Sequence, residues 1–320
     1  MRILLAGMAW MYLAAVPSVA QNLPAPAFAD VQVAHIDDLG QPFDLKANVY
    51  LPAARAGATP MVLYIHGKGG AYDDPRDPVV RRILGALLPR GIALARIDYR
   101  RSGRMPAMLM DTKAYLRFFR AHAGDYHIDP DRIGIWGVSR GGNLAALLAV
   151  TGDVEPLEGD VGGNTAQSSR VDASVIESPL TDLFLSSDDK AASMFGDYLG
   201  TNDADSKAIV AVYRRHDMAS PWWRDVERIE QVNPLNYVSS QSPPALIICG
   251  GLDPANVVVN CTALFDRYIK EAAPASYYAL STGTHVRVGS DIETASVNWL
   301  AERLSSTPPP LFPDSEPTRR

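Results

Sequence analysis

Two patterns of apolar and polar positions alternate along the chain. Residues 28–35 and 43–50 place apolar and polar side chains in turn, as half-buried antiparallel strands do, and predict the leading edge of a sheet. The later runs 61–65, 92–97, 133–136, 173–176, 245–248 and 277–280 are mostly apolar and β-rich, the composition of strands buried on both faces. Between most of them, the stretches 78–88, 107–123, 142–150, 259–272 and 291–304 repeat apolar residues every three or four positions and predict helices. Strands alternating with helices predict the α/β class: a mostly parallel central sheet, helices on both faces and right-handed crossovers. In such sheets the ligand site lies beyond the carboxyl ends of the strands. Residues 183–237 break the rhythm and hold Asp188, Asp189, Met194, Phe195, Met218, Trp222 and Trp223. They are read as a cap inserted over the site. Ordinary surface helices are the competing reading, because Trp and Met also fill cores.

Composition narrows the picture. The chain has 320 residues, 47% hydrophobic and 21% charged, enough apolar material for one sizeable core. Its net charge is −6, and basic residues cluster only in pairs such as Arg81-Arg82 and Arg214-Arg215. Nucleic acid and anionic membrane surfaces are therefore poor partners. Arg2 precedes an apolar run ending near Val16-Pro17, followed by the small residues of Ser18-Val19-Ala20. This is a signal-peptide pattern over 1–20, shorter than the roughly 20 apolar residues of a membrane span. The expectation is a periplasmic or secreted protein with no stable membrane insertion after cleavage. One catalytic domain is expected over 21–305, and a disordered tail over 306–320, with Pro308-Pro309-Pro310 and Pro313. Cys249 and Cys261 could bridge in an oxidising compartment or stand as two buried thiols.

The candidate chemistry lies at the ends of the predicted strands. Gly137-Val138-Ser139-Arg140-Gly141-Gly142 contains G-x-S-x-G between a strand and a helix. A strand turning that sharply crowds the positions two before and two after the serine, so only very small side chains fit, and the hydroxyl projects clear. Ser139 is the expected nucleophile. A serine hydroxyl needs a base, and His285 lies in the loop after the last predicted strand, with His216 held in reserve. The base needs a carboxylate to fix its tautomer. Asp253 directly follows the strand ending at 248; Asp182 is the alternative, and Asp98 precedes the serine, which breaks the expected order Ser, Asp, His. Acyl transfer also needs donors aimed at the developing oxyanion, each lowering the barrier by some ~3 kcal/mol. His66-Gly67-Lys68-Gly69-Gly70 follows a strand, and the backbone N–H groups of Lys68, Gly69 and Arg140 are the expected donors. With no H-E-x-x-H and no paired cysteines at zinc spacing, neither metal nor cofactor is expected.

These motifs resemble the esterase/lipase side of the α/β-hydrolase superfamily, in particular bacterial enzymes similar to hormone-sensitive lipase and the feruloyl/acetyl esterases of BD-FAE type. The resemblance runs through the loop at His66, Asp98-Tyr99-Arg100, Asp111-Thr112-Lys113-Ala114, the segment 128–134, the elbow, Asn233-Pro234-Leu235 and the Asp and His loops, covering roughly 44–304. It implies an α/β-hydrolase fold and a serine carboxylic ester hydrolase acting on a small-molecule ester through an acyl-enzyme. Three departures stand out: Lys68 replaces the middle glycine of H-G-G-G, Arg140 replaces the usual alanine, and 209–229 is longer than the usual connection. A serine peptidase of prolyl-oligopeptidase type and an acyltransferase share the fold. So does a non-catalytic binding module, although such proteins usually lose a triad member. The acidic residues of the insertion are read as disfavouring anionic substrates, while Trp222, Trp223 and Tyr72 could serve aromatic or sugar groups.

Overall fold

A computed structural model of the chain describes residues 23–54, 57–285 and 289–305. The expected leader over 1–20 and the expected disordered tail over 306–320 lie outside them. A hairpin opens the fold: β1 (Phe28–Asp37) and β2 (Pro42–Tyr50) pair antiparallel. Their two-residue turn has positive φ at Leu39 and Gly40, the mirror-image geometry that matches strand twist. Six strands follow: β3 (Thr59–Ile65), β4 (Ala93–Ile97), β5 (Ile128–Val138), β6 (Ala173–Glu177), β7 (Ala245–Gly250) and β8 (Ala275–Leu280). The sheet order is β1-β2-β4-β3-β5-β6-β7-β8, parallel from β4 onward.

Alternation within each parallel strand feeds two cores. Met61, Leu63 and Ile65 of β3 face one side, where α2 (Ala107–Ala121), α3 (Arg140–Val150) and α7 (Ala255–Lys270) contribute Tyr115, Leu144 and Leu264. Val62 and Tyr64 face the other, covered by α1 (Pro78–Leu87) and α8 (Ser290–Arg303) through Ile83, Leu84 and Leu300. Both faces are buried, which is why these strands read as continuous apolar runs. Helix α1 starts where Pro78 fixes φ and the Asp77 carboxylate accepts the Val79 and Val80 N–H groups at 2.9 and 3.1 Å. Helix α7 starts four residues before its expected onset at 259, directly after Pro254.

The stretch 183–237 folds into α4 (Asp188–Leu199), α5 (Asp203–Arg215) and α6 (Trp223–Glu230). Their apolar faces, with Phe195, Ile209, Val210 and Val226, join the core on the α2 side. The bridge left open between Cys249 and Cys261 is not formed. Both are buried free thiols, filling space as small apolar side chains do.

Helix α2 buries charge as well as apolar surface. The side chains of Lys113 and Arg117 are 0% and 1% exposed, and both reach Glu158 in the loop after α3. Arg117 also donates to the Glu158 and Val161 carbonyls at 3.0 and 2.9 Å, latching that loop to the helix. Burial depresses the Lys113 pKa, and Glu158 only partly offsets this. Removing one partner of such a buried cluster strands the others without compensation. Glu158→Ala is therefore expected to cost about 3–5 kcal/mol, read from the midpoint of urea unfolding; a loss under about 1 kcal/mol would contradict the compensation described.

Candidate active site

Parallel pairing sets the carboxyl ends of six neighbouring strands side by side. Read across the sheet, they are followed by Asp98 (β4), His66 (β3), Ser139 (β5), Ser178 (β6), Asp253 (β7) and His285 (β8). Ser139 has φ 57° and ψ −115°, a conformation that costs an L-residue energy and persists only when its surroundings enforce it. The enforcement is close backbone contact. A Cβ on Gly137 would lie 2.0 Å from the Gly141 carbonyl oxygen, one on Gly141 2.1 Å from that of Ile65, and one on Gly142 2.5 Å from that of Glu177. The Ser139 N–H donates to the Glu177 carbonyl at 2.9 Å, locking the turn onto the neighbouring strand.

Ser139 Oγ lies 2.9 Å from His285 Nε2, and His285 Nδ1 lies 2.8 Å from Asp253 Oδ1. With Nδ1–H donating to the carboxylate, Nε2 is left to accept the serine proton. The Asp253 side chain is fully buried, while His285 is 37% exposed. The second carboxylate oxygen, Oδ2, accepts the Ser178 hydroxyl at 2.8 Å and the Gly250 N–H at 2.9 Å, so the group is held at both ends. The Asp253 and His285 loops press together: a Cβ on Gly250 would fall 2.4 Å from the Gly283 carbonyl oxygen.

The reserve residues serve elsewhere. His66 Nε2 lies 3.1 Å from Asp98 Oδ1 and His66 Nδ1 lies 2.8 Å from the Gly67 carbonyl oxygen, contacts that brace the glycine loop. Asp182 caps the short helix Leu183–Leu185 by accepting the Phe184 N–H at 2.9 Å. His216 ends α5 and sits edge-on to Trp223, with ring centroids 5.2 Å apart.

The glycine loop arches over the serine. Gly67 lies close enough that a Cβ there would be 3.4 Å from Ser139 Cβ, and the Gly70 N–H returns to the Gly67 carbonyl at 3.0 Å, with Gly69 at φ 80° forming the corner. A cavity of about 450 Å³ opens in front of Ser139 and His285. Lys68, Arg140 and Asn143 line it, together with Leu180, Pro254 and Val257, and α4 adds Lys190, Ser193, Met194 and Asp197. As the first residue of α3, Arg140 carries an N–H without an intrahelical partner.

Two expectations about the insertion change. Trp222 and Trp223 pack at the edge of the core, and Tyr72 donates to Asp30 at 2.6 Å; none of the three lines this cavity. Asp188 pairs with Arg214 at 3.0 Å, and among the described residues the charged side chains lining the cavity are Lys68, Arg140 and Lys190 with Asp197, a more cationic than acidic surface. Sequence reasoning missed Ser178, whose signal was its place after the strand beside the elbow, and Asp197, which had none.

Glu177 is buried behind the site, and among the described residues the hydrogen-bond donor to its carboxyl is the Trp136 indole at 3.3 Å. Burial is the main cause that pushes its pKa up to about 7, with Glu293 and Asp253 adding to it. The folded protein thus keeps a proton that the unfolded chain releases at lower pH, so stability falls as pH rises toward 7. Glu177→Gln should be more stable than the parent by up to about 3 kcal/mol at pH 8 and no more stable at pH 4. Thermal unfolding at the two pH values checks this; an equal difference at both would refute it.

The BD-FAE family profile matches residues 47–267. Esterase LipQ of Mycobacterium tuberculosis is 26% identical over 239 residues, which is 73% of this chain and 51% of the relative. Carboxylesterase NlhH of the same species is 35% identical over 125 residues, covering 38% of this chain and 36% of NlhH. The chain therefore spans about half the length of these curated relatives or less. Among solved structures, a truncated carbohydrate esterase from gut microbiota superimposes with a TM-score of 0.71 at 24% identity, over 90% of this chain and 99% of that one.

Proposed function

The chain belongs to the BD-FAE family, and from that premise we propose that it is a serine carboxylic ester hydrolase acting on small-molecule esters through an acyl-enzyme, with Ser139, His285 and Asp253 as its triad. The observation that carries the reading is the unbroken relay from Ser139 Oγ through both nitrogens of His285 to a buried carboxylate, at 2.9 and 2.8 Å. It is supported by relatives named as esterases.

In this reading Ser139 Oγ attacks the ester carbonyl carbon as its proton passes to His285 Nε2. The Asp253 carboxylate stabilises the imidazolium without itself taking the proton. The charge that develops on the former carbonyl oxygen falls to the N–H groups of Lys68, Gly69 and Arg140, which need no reorganisation during reaction. Protonation by His285 releases the alcohol and leaves an acyl group on Ser139. Water then enters and its oxygen attacks the acyl carbonyl as His285 Nε2 takes its proton; the bond to Ser139 Oγ breaks, His285 returns the proton to Oγ, and the acid departs. The apolar wall of Leu180, Met194 and Val257 suits a short acyl chain or the body of the alcohol. We further propose that residues 1–20 direct export and that 183–237 acts as a cap, the latter supported by the four cavity-lining residues of α4.

Hydrolysis of p-nitrophenyl acetate, butyrate and octanoate tests the proposal. Ser139→Ala should lower kcat/KM at least ~10³-fold, and Asp253→Asn roughly 10²- to 10⁴-fold through loss of the productive tautomer. No turnover by folded parent protein, or equal rates in parent and Ser139→Ala, would sink the esterase reading.

A further inference from the structure

The two backbone segments that the proposed function aims at the oxyanion are joined by one side chain of the insertion. Asp197, in the last turn of α4, accepts Lys68 Nζ at 2.7 Å through Oδ2, and the same oxygen accepts Arg140 Nη2. Lys68 belongs to the turn above Ser139, and Arg140 is the residue that follows the serine. Among the described residues, neither side chain has another hydrogen-bond partner. The Gly67-Lys68-Gly69-Gly70 turn contains three glycines, which have little conformational preference of their own, and the Lys68 side chain is 66% exposed.

The Asp197 backbone, in contrast, is fixed to the catalytic floor. Arg104 Nη1 donates to the Gly196 and Asp197 carbonyls at 2.9 Å each, the Met105 N–H donates to the Tyr198 carbonyl at 3.1 Å, and Asn143 Nδ2 donates to the Tyr198 hydroxyl at 2.8 Å. The Arg140 guanidinium packs over Gly103, where an added Cβ would meet its Nη1 at 3.0 Å. Burial opposes ionisation of Asp197, but the hydrogen bond from Lys68 and the charge of Arg140 outweigh it and hold the carboxyl below its usual range.

We propose that Asp197 is a positioning residue: by drawing Lys68 onto the same carboxylate oxygen as Arg140, whose backbone the turn at Ser139 already fixes, it holds the glycine turn in the geometry that presents its N–H groups to the oxyanion. The insertion thereby completes the site from above, and Lys68 and Arg140 are the partners that let it do so. This rests on the esterase reading for its chemistry. The Lys68–Asp197 pair, with Lys68 66% exposed, adds little to stability, whereas a displaced oxyanion donor costs up to 10²- to 10³-fold in rate, so Lys68→Met separates the two roles in experiment.

The test uses the full chain with Asp197→Asn, Lys68→Met, which keeps the backbone donor, their double variant and Asp197→Glu. On p-nitrophenyl acetate, Asp197→Asn and Lys68→Met should each lower kcat about 10- to 100-fold with KM changed less than threefold and the melting temperature within a few degrees of the parent. The double variant should lose no more than the worse single one, as residues acting through one contact do, and Asp197→Glu should recover part of kcat. The second-order rate of Ser139 labelling by a fluorophosphonate, followed by mass spectrometry, should fall in parallel, because its phosphoryl oxygen occupies the same place as the oxyanion. If the parent labels but hydrolyses no ester, the esterase reading fails while the labelling rates still decide the proposal. Kcat and labelling within twofold of the parent in both single variants, independent losses that multiply in the double variant, or a parent that neither labels nor hydrolyses would each overturn it.

Discussion

Everything at this site depends on the turn at Ser139. A strand that must reverse into a helix within one residue brings three carbonyl oxygens, those of Ile65, Gly141 and Glu177, to within about 2.0–2.5 Å of where side chains would begin. Glycine at 137, 141 and 142 is the only chemistry that leaves room. In return the crowding holds Ser139 at φ 57° and keeps its hydroxyl proud of the sheet. Because Ile65 and Glu177 end the strands on either side of β5, the same contacts set how closely the glycine loop and Ser178 approach the serine. The tightest part of the fold is thus also the part that aims the reacting atom.

From that turn, strand order distributes the polar groups. Each parallel neighbour ends one strand spacing further on, so a hydroxyl, a carboxylate and an imidazole separated by many residues arrive in a row without any helix having to carry them. Two buried carboxylates stand close together there with different fates. Asp253 collects donors from His285, Ser178 and Gly250, while among the described residues Glu177 receives the Trp136 indole alone. With so few hydrogen bonds to its charged form, burial makes Glu177 a weak acid.

The insertion contributes through charge more than through its aromatic residues. Phe184, Phe195 and Tyr213 stack among themselves, and Trp223 turns toward His216. The face of α4 that meets the cavity instead offers Lys190, Ser193, Met194 and Asp197. The cavity mouth is therefore cationic within a chain of net charge −6.

How much of this was legible in the sequence follows the range of the force concerned. Strand and helix positions could be read to within a few residues because burial on one or both faces imposes its period locally. Ser139 was legible because the steric demand of the turn falls on residues within three positions of it. Asp253 and His285 were placed by their positions after the last two strands, and the structure joins both to Ser139. By itself, then, the sequence determined the α/β class, the elbow and the residues that meet there. The tertiary structure alone decided that Cys249 and Cys261 stay unbridged, that Ser178 braces Asp253, and that Asp197 clasps Lys68 from 129 residues away. Contacts of that kind arise between side chains brought together only by the packing of the whole sheet and its insertion, and no local period or spacing encodes them.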